Sequence, residues 1–181
     1  MMIRTLLFVA MLSLSTALFT TASAGVCEGT PFACAVDDAI NAGLQHFRNL
    51  ERGLGHFGDN NGRHNFLGTL SFLEKRQGVG WAGRAQGYQG MDPQDQAMVV
   101  RLVQNMINQE GSMTNPNAVP YVYVSGGNLM ALAAYVATGG PDEVGAPVTV
   151  TQAIANGVVS LNNVQGNANP NNVGGWNYGN P

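Results

Sequence analysis

The chain has 181 residues, 45% hydrophobic and 10% charged, with a formal net charge of −3, enough for one domain with its own core. Its two cysteines and its glycines without a three-residue period exclude a disulfide-dense scaffold and a collagen, and the scarcity of charge leaves Asn, Gln, Ser, Thr and Gly to solvate the surface. All basic side chains after Arg4 lie between Arg48 and Arg101, and from Leu102 onward only Glu110, Asp142 and Glu143 are charged, so no basic stripe exists to displace counterions and no nucleic-acid partner is expected.

In chain order, Met1 to Arg4 gives a short positive start, 5–19 is an apolar run, and Ala22-Ser23-Ala24 supplies small residues at −3 and −1 of a cleavage site. This predicts a signal peptide over 1–24, export to a periplasmic or extracellular space, and no membrane span once it is cleaved, because the run is shorter than the ~20 residues of a span and is broken by Ser and Thr. In an oxidising compartment, Cys27 and Cys34 are expected to pair, stapling an N-terminal segment over 25–35.

Beyond it, 36–181 reads as a repeat domain. Ile40, Leu44, Phe47 and Glu51 stand at i, i+4, i+7 and i+11; Val99, Val103, Met106 and Glu110 keep that spacing, as do Ile154, Val158, Leu161 and Gln165. Each set lies on one helical face. Each helix ends in Glu or Gln, followed by a Gly-x-large apolar turn: Gly55-His56-Phe57, Gly111-Ser112-Met113 and, after an Asn-rich insert, Gly174-Gly175-Trp176. Glycine allows the left-handed backbone that ends a helix, and the large side chain folds back over the helix end.

Second helices are predicted over 63–77 and 126–138, where Gly68, Leu70 and Leu73 match Gly127, Leu129 and Leu132. Asp92-Pro93 reads as the N-cap and first residue of the third helix. The expected fold is therefore all-α, with about two and a half helical hairpins. The third unit lacks its second helix before Pro181, so a homodimer partner or a longer parent chain is expected to cover Ile154, Val158 and Leu161.

These residues resemble the repeat of the α/α-toroid proteins related to squalene and terpene cyclases and to protein prenyltransferase β subunits, in which a helix ending in Gln is followed by Gly-x-Trp and a second helix. Gln165 with Gly174-Gly175-Trp176 is the nearest copy, and Glu51 with Gly55-His56-Phe57 a degenerate one. The resemblance covers 36–181 and implies a partial toroid. The D-x-D-D acid of the cyclases, the Asp, Cys and His zinc ligands of the prenyltransferases and the Gly-Cys-Gly-Glu-Gln thioester of related complement proteins are all missing from this chain.

Among acids, Asp37-Asp38 and Asp92 with Asp95 are the candidates for general-acid chemistry, set against helix capping, which carboxylates at a helix start favour. His56, Asp59 and His64 are candidate zinc ligands in a loop with little to hold them, and Asp59-Asn60-Asn61-Gly62 lacks the later ligands of a calcium loop, so no metal or other cofactor is expected. Trp81, Tyr88, Tyr121, Tyr123 and Trp176 fall in turns or near helix ends, as the lining of a mouth for an apolar, sugar or peptide ligand or as staples over the helices. The resulting expectation is an exported binding or structural module with no catalytic constellation of its own; the alternative is a terpene-cyclase-like or polysaccharide-active toroid enzyme, or a fragment of one.

Overall fold

The computed structural model describes residues 27–58 and 62–165; the expected leader, Asp59, Trp176 and the turn that carries it lie outside the described residues. Helix α1 spans Pro31–Glu51. Thr30 caps it, its hydroxyl accepting from Ala33 N at 3.2 Å, with Pro31 in the first turn. Cys27 is bonded to Cys34, with Cα atoms 5.7 Å apart, so the disulfide ties the entering chain to that turn. This corrects the expected start near Asp37: the Thr-Pro signal begins the helix well before the paired acids, neither of which caps it, and α1 runs straight through the expected 35/36 boundary. Arg52 and Gly53, at φ 42° and 85°, end the helix in left-handed conformation.

Helix α2, Asn65–Glu74, is shorter than its pattern suggests because Lys75 to Gln77 turns extended and crosses Arg84 to Gln86, with Gln86 N donating to Lys75 O at 2.8 Å and Gln77 N to Arg84 O at 3.1 Å. A 3-10 turn over Val79–Trp81 occupies the tip of that excursion. Helix α3, Pro93–Gln109, starts as its sequence predicts, with the Asp92 carboxylate accepting from Gln94 N and Asp95 N at 3.0 and 2.9 Å. Gly111 then opens a single helical turn, α4 (Gly111–Thr114), rather than a left-handed turn; α5 is Val122–Ala137 and α6, capped by Thr149, is Val150–Asn163. Among the described residues there are six α-helices and no strand, and no helix is long and apolar enough to cross a membrane.

Helix α3 carries the centre of the core: Val99, Leu102, Val103, Met106 and Ile107 are fully buried, with Phe72, Leu73, Met113, Leu132 and Tyr135 packed into the same cluster. Helix α3 also touches both α1 and α6, while α2 packs on α5. The matching of second helices extends to their buried faces. Asn65, Phe66, Thr69, Phe72 and Leu73 of α2 are buried, and so are Val124, Ser125, Asn128, Ala131 and Leu132, each 59 residues on in α5. The paired glycines each give way to a phenyl ring: a Cβ on Gly68 would meet Phe57, and one on Gly127 would meet Phe66. Phe57 in turn lies 4.9 Å from Phe47, centroid to centroid, covering the end of α1.

The third apolar set behaves differently. Helix α6 turns Val150, Ala153, Asn156, Gly157 and Ser160 inward, while Ile154 and Leu161 are half-buried and Val158 is 46% exposed. Its small face allows close approach, since a Cβ on Gly157 would lie 2.9 Å from Leu129 and 3.1 Å from Met113. Polar side chains secure that face: Asn156 donates to Met113 O at 3.0 Å and Ser160 to Ala118 O at 2.5 Å.

Candidate functional site

The repeat-marking glutamate of the first unit is an electrostatic junction. Glu51 is 2% exposed, and its carboxylate accepts from Gly53 N, Gly55 N, and the Nε and NH2 groups of Arg101, all at 2.8 Å. Burial opposes its ionisation, but the Arg101 guanidinium and the two backbone N–H groups outweigh that and hold the carboxyl below the usual range. Gly55 sits at φ 72° with the Arg101 carbonyl 3.2 Å from where a Cβ would be, so both backbone sign and space require glycine. A second pair, Arg48 to Asp95 at 2.6 and 2.7 Å, braces the same two helices nearer their N-termini. Both pairs advance together along α1 and α3, as in helices running the same way.

The excursion after α2 builds the first candidate pocket. It has a volume of about 150 Å³ and is lined by Asp37, Ile40, Lys75, Arg76, Val79 and Trp81, among others. Asp37 does not cap its helix; both its oxygens accept from Gly80 N, at 2.9 and 3.0 Å, and so anchor the turn that carries Trp81. Gly29 and Ala33, next to the disulfide, crowd Val79 and Gly80 from the other side. Held this way, Trp81 adopts φ 67°, a conformation that costs an L-residue about 1–2 kcal/mol, and remains 51% exposed. The Arg76 guanidinium lies 5.8 Å from its ring centroid, and Arg76 Nε is buried without a hydrogen-bond partner. The pocket thus offers an aromatic face beside two cations.

A second pocket, of about 230 Å³, opens where α3 meets the start of α5, lined by Arg63, Met106, Glu110, Tyr121, Val124 and Asn128, among others. Burial raises the Glu110 carboxyl above its usual range; the hydroxyls of Ser112 and Ser125 and the backbone at Tyr121 and Ser112 offset this only in part. Asn128 is 2% exposed and its Oδ1 accepts no hydrogen bond.

The remaining candidates are dispersed. Asp38 is exposed on α1, Asp92 caps α3, and Asp95 accepts both Arg48 donors, so capping describes Asp92 but not Asp37, Asp38 or Asp95. Tyr88 is half-buried against Tyr135, ring centroids 5.1 Å apart, and Tyr123 packs edge-on against Phe66. Trp81 and Tyr121 line different pockets, so the expected aromatics do not share one mouth. His56 Nδ1 accepts from Gly58 N, His64 precedes α2, and among the described residues no three His, Cys, Asp or Glu side chains are grouped to hold a metal ion. Sequence reasoning passed over Lys75, Arg76 and Asn128, because adjacent cations read as solvated surface and a helical asparagine carries no motif. The adjacent Gly78-Val79-Gly80-Trp81, a bulky side chain inside a glycine-rich turn, was the one available signal. Comparison of the chain with protein-family models, curated proteins and solved structures finds no match.

Proposed function

We propose that this chain is an exported, non-catalytic module of toroid-type helical hairpins that binds a carboxylate-bearing sugar at the Trp81 pocket. The observation that carries the reading is Trp81 itself: a large aromatic held at positive φ and half exposed, where burial does not repay the strain. Its flat face suits a sugar ring, and Lys75 and Arg76 supply charge for a carboxylate. Export is supported by the leader pattern and by the Cys27–Cys34 bond, which forms in oxidising compartments. The toroid reading is supported by the shared burial register of α2 and α5 and by the junction at Glu51, where the repeat family places its helix-ending glutamine. A binding role is favoured over chemistry because Asp37, Asp92 and Asp95 are each committed to holding backbone or an arginine.

The test uses the Trp176→Phe variant, in which Trp81 is the sole indole. Uronate oligosaccharides should change its fluorescence saturably, their carboxyl-reduced counterparts should bind at least tenfold more weakly, and Arg76→Gln should remove most of the difference. Equal response to both sugar sets, or none to either, would refute the assignment. Hydrolysis or cyclisation products detected by mass spectrometry would transfer the chain to the enzyme class.

A further inference from the structure

The two glutamates that end the first helices of successive units occupy matching stations 59 residues apart, yet their surroundings diverge. Across from Glu51 stands Arg101, donating twice to the carboxylate. Among the described residues no cation pairs with Glu110. Its donors are all neutral: the Ser112 hydroxyl at a long 3.3 Å, the Ser125 hydroxyl, and the backbone N–H groups of Tyr121 and Ser112. The Glu110 side chain instead lines a cavity of about 230 Å³.

From this geometry we infer that the Glu110 pocket is a binding site for a small molecule bearing a primary ammonium group, which takes the place that Arg101 holds in the first unit. A second, independent observation points the same way: Asn128 lines this pocket, is almost wholly buried, and has an Oδ1 that accepts from nothing. A buried acceptor without a donor and a carboxylate that only neutral groups meet, lining one pocket, suit one N–H-rich cation: the unmade acceptor is unfavourable, and neutral donors leave the carboxylate's charge unpaired. Met106 and Val124 supply apolar wall for a short alkyl chain, and the Tyr121 ring stands at the rim. Arg63 is the opposing charge. Its guanidinium lies 5.8 Å from the Tyr121 centroid, on the same rim, and it sets a preference for a ligand whose ammonium is carried inward on an uncharged chain. This site shares no lining residue with the Trp81 pocket and does not depend on the reading of that pocket.

The probe is n-butylammonium, with n-butanol and acetate as controls, and the readout is the methyl resonance of Met106 in methionine-methyl-labelled protein. Saturable shifts with n-butylammonium and none with n-butanol are expected. Glu110→Gln should weaken n-butylammonium at least tenfold, and Asn128→Asp, which adds a second carboxylate to the wall, should tighten it several-fold. Arg63→Ala should also tighten it by removing the competing cation. Equal titration by n-butanol and n-butylammonium would make this an apolar cavity and overturn the inference. Saturable binding of acetate would make it an Arg63 anion site, with the same consequence. Unchanged affinity in Glu110→Gln, a substitution that removes charge while keeping shape, would overturn it directly.

Discussion

Replacing Glu51 by Ala takes four hydrogen bonds from one carboxylate, and the structure indicates what each loss is worth. Gly53 is exposed and exchanges its bond for water, but Gly55 is buried, and an orphaned buried N–H costs about 1–3 kcal/mol. The Arg101 bonds are charge-assisted, worth about 1.5–3 kcal/mol each when enclosed; its side chain is 38% exposed, so solvent screening reduces them to about half. The expected destabilisation is about 3–4 kcal/mol, lowering Tm by roughly 10 °C for a domain of this size. Arg101→Met reverses the problem. It leaves a carboxylate that is 3% exposed with only backbone partners, and should lose about 3 kcal/mol. Combining Glu51→Gln with Arg101→Met removes both charges and keeps one acceptor for Gly55, so the double variant should lie within about 1.5 kcal/mol of the parent, well short of the summed single effects. Urea unfolding followed by circular dichroism, with all variants at pH 7, measures this cycle. Single variants within 0.5 kcal/mol of the parent on the order of ordinary surface changes, or additive effects in the double, would show that Glu51 is a bystander to helix packing.

The two repeat glutamates should respond to pH with opposite sign. Glu51 is held low, so its stabilisation is complete above the unfolded carboxyl value near 4.3 and disappears as pH falls through the lower folded value; the stability gap between parent and Glu51→Gln should close in acid. Glu110 is raised, so its ionisation destabilises the fold as pH climbs from the unfolded to the folded value, and Glu110→Gln should be more stable than the parent at pH 7 but indistinguishable at pH 3.5, as read from urea midpoints. Tyr135 is fully buried and its hydroxyl has no hydrogen-bond partner, so Tyr135→Phe should leave Tm unchanged or raise it; a loss above about 1 kcal/mol would reveal a hydroxyl bond of native strength. Reducing Cys27–Cys34 opens a short loop worth at most about 2–3 kcal/mol, so helicity should persist while Trp81 emission in the Trp176→Phe variant shifts as the turn loses its clamp; a collapse of helicity would mean that the bond holds the fold itself.

What was legible in the sequence was local and chemical. Asp92-Pro93 starts a helix because a carboxylate and a ring-locked φ act on adjacent residues, and no distant contact can reverse that. The match of Gly68 to Gly127 carried the register of a whole buried face, because a missing Cβ marks where a neighbour enters. The errors arose where a local pattern had two readings. Asp37-Asp38 resembles a helix start, yet Thr30-Pro31 precedes it and wins; the carboxylate that seemed free for capping was needed 43 residues away, on Gly80. Periodicity gave α6 an apolar face through Ile154 and Val158, but the face that packs is the one with small residues, since Gly157 and Ala153 permit the approach that Val158 would block.

The candidate sites were less legible than the fold for a reason visible at Glu51 and Glu110. As sequence, the two are closely alike: same residue, same helix face, each followed by a Gly-x-large apolar turn. What separates them is what their packed neighbours supply: Arg101 donates twice to Glu51, whereas among the described residues no cation pairs with Glu110, and that difference exists only after the helices have packed. A repeat therefore fixes where a carboxylate will stand and leaves its chemistry to the neighbour. With an arginine opposite, it becomes a brace whose pKa falls; with only neutral donors around it, it becomes a half-buried acid at the edge of a cavity whose pKa rises. Supplying the missing cation is consequently the sharper perturbation. Asn128→Lys should place an ammonium in the pocket that Glu110 lines, lower the Glu110 pKa and abolish n-butylammonium binding without altering Glu110 itself, whereas retained binding with the cavity intact would mean that the Glu110 carboxylate is not what the ligand pairs with.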